Sequence, residues 1–139
     1  MNKREHELHE STNITNKENI IYKDLSFRIM EAIFEVRNVL GPGYSENIYE
    51  SALAKEFKER KINYERQRLI EVYYKGEKIG EYRLDMVVEE MIILELKAVS
   101  ELNEIFESQL LSYLKATGMK LGILINFGAK EVKFKRIVN

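Results

Sequence analysis

The chain has no cysteine, no tryptophan, a single proline and only two histidines, and each shortage removes a class of chemistry. Without cysteine there are no disulfide staples, thiol nucleophiles or thiolate zinc sites. His6 and His9 sit close to the start, so histidine-based catalysis has no support in the body of the chain. No segment approaches the roughly 18 apolar residues of a membrane span. Met1 to Asn19 lacks the apolar stretch of a signal peptide, so the protein reads as cytoplasmic. Charge of one sign is missing too: 22 lysines and arginines stand against 23 aspartates and glutamates, a formal net charge of -1. Generalised polyanion binding shows as a strongly basic domain or stripe, so any contact with nucleic acid is expected to be local. What remains is the chemistry of carboxylates and lysines.

The 139 residues, 45% of them hydrophobic, are enough for one globular domain with a core of its own. Residues 1–19 are polar, with charges of both signs, and predict a tail that cannot offset the entropy of ordering; residues 20–139 are expected to form the domain. Leu25, Ile29, Ile33, Val36 and Leu40 fall at helical spacing and end at Gly41-Pro42-Gly43, a helix stop. A second helix is predicted from an N-cap at Ser45 to about Arg60, with Ile48, Ala52 and Phe57 on its apolar side. Leu69 to Tyr74 reads as a strand, Lys75-Gly76-Glu77-Lys78 as a turn, and the residues from Ile79 as the returning strand of a hairpin. Alternation there predicts Tyr82, Leu84, Met86 and Val88 on one face, with Arg83, Asp85 and Val87 on the other. A third strand from Met91 to Ala98, a helix from Glu101 to Ala116, and strands Leu121–Asn126 and Val132–Val138 complete the order. This is the pattern of an α/β or α+β domain with helices against a mixed sheet.

Two residues break the apolar third strand: Glu95 and Lys97, which share a face about 7 Å apart. Charged groups there would cost several kcal/mol if buried alone, so they must be paired, bound to a metal or at the sheet's rim. Asp85, one strand earlier, joins Glu95 on one face only if the two strands pair in an even register, which needs an odd loop such as Glu89-Glu90-Met91 or a bulge. A two-residue turn at Glu89-Glu90 would part them. Two carboxylates held together demand a divalent cation or a raised pKa, and hard oxygen ligands with open positions suit Mg²⁺ or Mn²⁺ better than zinc.

Asp85 followed after nine residues by Glu95-Leu96-Lys97 resembles the PD-(D/E)XK nuclease motif. Gly43-Tyr44-Ser45-Glu46-Asn47-Ile48-Tyr49 resembles the Gly-x-x-Glu-x-x-Tyr signature of the GxxExxY family of that superfamily. Gly76-Glu77-Lys78 through Asp85, Gln109 to Lys115 and Asn126-Phe127-Gly128 extend the likeness along nearly the whole domain. Leu84 stands where the superfamily's name puts proline. The resemblance implies a restriction-endonuclease-like core and a metal-dependent nuclease acting on DNA or RNA. It implies that Asp85 and Glu95 hold Mg²⁺ or Mn²⁺ with the Leu96 carbonyl, that Lys97 positions the attacking water, and that Glu46 adds an acid from the helix. Gln109 and Tyr113, one helical turn apart, resemble the Gln-x-x-x-Tyr element of RecB-type nucleases and would organise the site or the nucleic acid, with Tyr49 beside them. Asn126-Phe127-Gly128 and Gly43 are expected to serve turn geometry.

Bland alternatives stand beside these roles. Asp85 and Lys97 could make a rim salt bridge worth at most about 1 kcal/mol, and Glu46 is favoured at a helix start by the dipole alone, by about 0.3–1 kcal/mol. Tyr49 also reads as a packed aromatic. Gln109, beside Phe106, Leu110 and Leu114, is expected to be buried and therefore satisfied, which favours a role. Lys55, Lys58, Arg60, Lys61, Lys130, Lys133, Lys135 and Arg136 are interspersed with acids and read as solvated surface. A nuclease-fold binding or assembly module without turnover is the competing function. A third reading, a structural rim on a homodimerising domain, requires the Asp85–Glu95 register to fail; Tyr73, Tyr74 and Tyr82 are compatible with a homodimer, although aromatic strand faces usually belong to a core.

Overall fold

In the computed structural model, which describes residues 21–139, the first helix, α1 (Lys23–Leu40), forms where apolar residues recur at helical spacing. Ile29, Ala32, Ile33 and Val36 are its buried stripe. It stops at Gly41, where φ is 76° and the N–H bonds to the Arg37 carbonyl. The Arg37 guanidinium then donates to the carbonyls of Phe127 (3.1 Å), Ala129 (2.7 Å) and Lys130 (3.2 Å), tying the end of α1 to a distant turn. Helix α2 (Glu46–Glu59) starts at the N-cap Ser45, whose hydroxyl makes no capping bond, and buries Tyr49, Leu53, Ala54 and Phe57. The predicted tail, 1–19, lies outside the described residues.

Strands β1 (Tyr64–Tyr74), β2 (Glu77–Val88) and β3 (Ile92–Lys97) follow, then α3 (Glu104–Thr117), β4 (Leu121–Asn126) and β5 (Lys133–Val138). They form one sheet in the order β1-β2-β3-β4-β5, antiparallel throughout except for the parallel pair β3 and β4. A parallel pair needs a crossover, and α3 is that crossover. Helices α1 and α2 pack on one face against Met86, Val88, Leu94, Leu96, Ile123 and Ile125. Helix α3 covers the other face over Leu84, Val87, Ile93 and Leu124. The α+β architecture expected from the order of elements is the one observed, and its core is two apolar layers on either side of the sheet.

Boundaries shift where side chains decide them. Strand β1 begins at Tyr64 rather than Leu69, and the turn of the hairpin is Lys75-Gly76 alone, both at positive φ (50° and 84°), as tight hairpin turns require. Helix α3 starts at Glu104 rather than Glu101 because the Asn103 side chain accepts from the Ile105 N–H at 2.9 Å. Tyr73, Tyr74 and Tyr82 do not join a core: they are 58%, 60% and 51% exposed.

The predicted alternation of β2 is also corrected. Tyr82, in ring contact with Tyr113, and Leu84 face α3, whereas Met86 and Val88 face α1 and α2. The change falls at Asp85, and β1 changes with it. Tyr64 packs on the α1–α2 side and Ile70 on the α3 side, with Gln67 between them at a φ of 54°. Pairing on either side, Arg66 with Met86 and Arg68 with Leu84, keeps one register, so the two strands turn over together. Alternation along a single strand cannot anticipate a change that its neighbour shares.

The chain after Lys97 is held by Asn126, which is fully buried. Its Oδ1 accepts from the N–H groups of Val99 (3.0 Å) and Gly128 (2.9 Å), and its Nδ2 donates to the Val99 carbonyl (2.9 Å). The Phe127 N–H bonds to the Lys97 carbonyl at 2.8 Å. Asn126→Ala strands three main-chain groups, each of which costs about 1–3 kcal/mol when buried without a partner. The expected loss in urea unfolding is about 3 kcal/mol; a loss below about 1 kcal/mol would show that water replaces the amide.

Candidate active site at the split between β2 and β3

The loop between β2 and β3 is Glu89-Glu90-Met91, with Glu89 and Glu90 both at positive φ (53° and 58°). Three residues give the even register: Val88 opposite Ile92, Val87 opposite Ile93 and Met86 opposite Leu94. Asp85 therefore comes opposite Glu95, as the odd loop predicted. The ladder ends at Met86 and Leu94, and from there side chains replace main-chain pairing. The Asp85 N–H donates to Glu95 Oε2 at 3.1 Å, and the Leu96 N–H donates to Asp85 Oδ2 at 2.8 Å.

Glu95 is only 6% exposed, and Asp85 is partly buried beside it. Burial first, and the Asp85 charge second, push the Glu95 carboxyl up to about 8. Burial also raises Asp85; the Leu96 N–H pulls it back, and the carboxylates of Glu50 and Glu46 push it further up. Lys97 lowers both. Two like charges in one buried place call for a proton or a cation.

Lys97 is half-buried with its Nζ 4.5 Å from the centroid of the Phe106 ring. No carboxylate oxygen of the described residues lies within 4.0 Å of it, so the rim salt bridge with Asp85 does not form. Glu46 is the exposed first residue of α2, near enough to raise both Asp85 and Glu95. It lines a cleft of about 410 Å³ with Tyr44, Ser45, Asn47 and Ala98, the residue after Lys97. A larger concavity, about 750 Å³ between α1 and β5 around Phe27, Phe34 and Phe134, contains none of these groups.

Tyr113 reaches the site from α3. It is 6% exposed, and burial and then the Glu95 charge push its phenol up to about 12. Gln109, one turn earlier, is exposed and makes no side-chain hydrogen bond among the described residues, which corrects the expectation that it is buried and satisfied. Tyr49 does not face the site. It is fully buried, stacked on Phe127 at 4.5 Å, with its hydroxyl donating to the Gly41 carbonyl (2.7 Å) and accepting from the Tyr44 N–H (3.3 Å). It braces the turn that enters α2.

Sequence reasoning missed Glu50. It is 5% exposed, one helical turn after Glu46, and is gripped by Arg66 Nε (2.8 Å) and Gln67 Nε2 (3.1 Å). The left-handed Gln67 at which the hairpin turns over is thus also one of the two residues that hold this acid, whose charge raises Asp85.

The model of the PD-(D/E)XK nuclease superfamily matches residues 23–137, and the chain belongs to that superfamily. No curated protein sequence matches it. Among solved structures, the crystal structure of SSO0001 superposes with a TM-score of 0.56 at 20% identity, over 67% of this chain and 49% of that one. The chain spans about half the length of that protein, and the likeness is one of fold.

Nucleases of this superfamily generally use divalent metals. Among the described residues no three acidic or histidine side chains converge as a ready cage. The split offers Asp85 and Glu95, each with one carboxylate oxygen outside the two bonds above, and the Leu96 carbonyl, which shares a strand edge with the N–H that meets Asp85. One or two carboxylates, with water and substrate phosphate completing the shell, is how Mg²⁺ is commonly bound, so the donors fit it.

The raised Glu95 has a sign that can be read. Between its ordinary value of 4.5 and about 8, the folded chain keeps a proton that the unfolded chain has released. Stability from this group is therefore full below pH 4.5 and lost as pH rises to about 8. Glu95→Gln keeps an acceptor for the Asp85 N–H and is expected to melt above wild type beyond pH 8, the advantage shrinking toward pH 4.5. Melting curves against pH check this; a pH-independent difference would show that Glu95 holds no such proton.

Proposed function

We propose that the protein hydrolyses phosphodiester bonds in DNA or RNA, using a water activated at the split between β2 and β3 with Mg²⁺ or Mn²⁺. The observation that carries this reading is the opposition of partly buried Asp85 and buried Glu95, whose carboxyls are both raised by burial and are bonded to each other's strand in place of a ladder. Asp85, Glu95 and the Leu96 carbonyl would hold the metal, with Glu46 at the mouth as a further acid. The bound ion would lower the pKa of its water and offset charge on the phosphoryl oxygens.

The chain's own groups do the rest. Lys97, free of any carboxylate within 4.0 Å among the described residues, can donate to the attacking water and to a phosphate oxygen, stabilising the charge that develops there. Glu50, clamped by Arg66 and Gln67, fixes the α2 side of the cleft and keeps negative potential on Asp85, which favours a bound cation. Tyr113 shields Glu95 from water on the α3 side, and exposed Gln109 is positioned for the nucleic acid. Tyr49 organises the entry to α2 and does not touch substrate. Within the superfamily we assign the chain to the GxxExxY family, on Gly43, Glu46 and Tyr49. We take residues 20–139 as one domain working in the cytoplasm after a tail of 1–19. A second copy of the chain is a further partner compatible with exposed Tyr73, Tyr74 and Tyr82.

The absence of a third converging acid among the described residues favours the alternative of a nuclease-fold binding module without turnover. Calorimetric titration of Mg²⁺ and Mn²⁺ into wild type and Asp85→Ala, with cleavage assays on single-stranded, duplex and flapped substrates, separates the two. The expected results are metal binding that vanishes in Asp85→Ala, and cleavage that falls at least about 100-fold in Asp85→Ala and Lys97→Ala. Wild-type protein that binds nucleic acid, yet neither binds metal in its presence nor cleaves, would establish the silent module instead.

A further inference from the structure

Past Gln67 and Asp85 the β1–β2 hairpin runs out to Lys75-Gly76 paired only with itself, since β3 accompanies β2 no farther than Met86. Nothing in holding Asp85 requires this outer half. Its α3-side face carries Ile70, Val72 and Tyr74 from β1, and Leu84, Tyr82 and Gly80 from β2. Leu84 is buried at the root, whereas Tyr82 is 51% exposed and Tyr74 60%.

The face is continuous with the candidate active site. The Tyr82 ring lies 5.3 Å from that of Tyr113, and Tyr113 in turn borders Glu95. Tyr82 stands opposite Ile70, and Tyr74 is four residues farther along β1, about 13 Å at strand rise. Acids are held on the other side of the hairpin: Glu71 and Glu81 are both bridged by Lys78 (3.3 and 2.6 Å), and Tyr73 donates to Glu71 (2.9 Å). Glu77, opposite Tyr74 at the tip, is the one acid on the tyrosine side, and Lys75 brings a cation 5.3 Å from the Tyr74 ring beside it. Gly80 sits between the two tyrosines with no left-handed φ, and a Cβ there would meet nothing within 4 Å. The pairing shifts by one residue at this point, with Ile79 the extra residue, and Gly80 adds no side chain beside Val72 between the two rings.

Bare aromatic rings, acid-free between root and tip and leading out of a cleft suited to phosphodiesters, match bases that are free to stack. A duplex keeps its base faces inside and offers a tyrosine none, whereas every base of a single strand has a face to give. Stacking also supplies the affinity that a chain of net charge -1 cannot draw from phosphates alone. We propose that this face is a shelf for single-stranded nucleic acid, one base resting on Tyr82 beside the cleft and another on Tyr74 toward the tip. The assignment rests on the phosphodiesterase reading for what occupies the cleft.

The test is fluorescence anisotropy on the full chain in EDTA, with a labelled mixed-sequence single-stranded DNA, the same sequence as RNA, and the DNA duplex. At least one single strand is expected to bind more tightly than the duplex. Tyr82→Ala and Tyr74→Ala should each weaken that binding about tenfold, while Tyr82→Phe retains it. Tyr74→Ala, at the exposed tip, carries the test if Tyr82→Ala disturbs the packing of Tyr113. Duplex binding as tight as single-strand binding, or alanine variants that bind single strands like wild type, would overturn the shelf. So would a Tyr74→Ala/Tyr82→Ala protein that only loses self-association in sedimentation, which would make the face a contact between copies. Cleavage assays on the same proteins keep the two readings apart. Tyrosine-dependent single-strand binding without cleavage in Mg²⁺ or Mn²⁺ leaves the shelf standing and removes hydrolysis. Cleavage that needs Asp85 but ignores both tyrosines does the reverse.

Discussion

Two carboxylates stand where main-chain carbonyls would continue the pairing of β2 and β3, and the rest of the site follows from that exchange. By taking the N–H groups of Asp85 and Leu96, Glu95 and Asp85 stop the ladder at Met86 and Leu94 and keep the end of the sheet from closing. The opening involves one edge only, because β3 remains paired with β4 through Lys97 and Asn126 on its other side. The N–H groups of Asp85 and Leu96 keep partners at the split, yet buried Glu95 and partly buried Asp85 are brought together there. The arrangement that shapes the cleft is therefore the same one that creates its demand for positive charge.

The three layers divide the work around that point. Helix α2, from one face, contributes Glu46 at its first turn and Glu50 one turn later, the second immobilised by β1. Helix α3, from the other face, closes over Glu95 with Tyr113 and over Lys97 with Phe106. Asn126 pins the chain that leaves β3, so Lys97 lies between two fixed ends. The charge that matters is local, in keeping with a chain whose totals nearly cancel.

The element order was legible because it depends on short-range signals, helical spacing and turn residues; the meeting of Asp85 with Glu95 was legible only as a condition on loop parity, open between a two-residue and an odd loop until the three-residue loop decided it. Glu50 was not legible. On its helix it looks like any acid one turn from Glu46, and its burial depends on Arg66 and Gln67, which reach it from another element. Gln109 was misjudged for the converse reason: it borders an apolar stripe in sequence, but the rotation of α3 on the sheet leaves it outside. The tyrosines of the hairpin have the composition of a core strand, and they are exposed because α3 covers only the root of the hairpin. Alternation in β2 failed at Asp85 because the turn-over is a property of two strands and is marked by a left-handed residue, Gln67, on the neighbouring strand.

That turn-over divides the hairpin into two segments with separate obligations. The inner segment is bound into the core and fixes Asp85; the outer segment owes the core little beyond Leu84 and Ile70. Since pairing keeps one register through Gln67 and Asp85, changes of length at the tip leave the acids where they are. Two residues added to each strand would extend the aromatic face by one more position, whereas one residue added to each would move Tyr74 to the side where Lys78 holds the acids. Reach can thus vary in steps of two while the chemistry at the root stays constant.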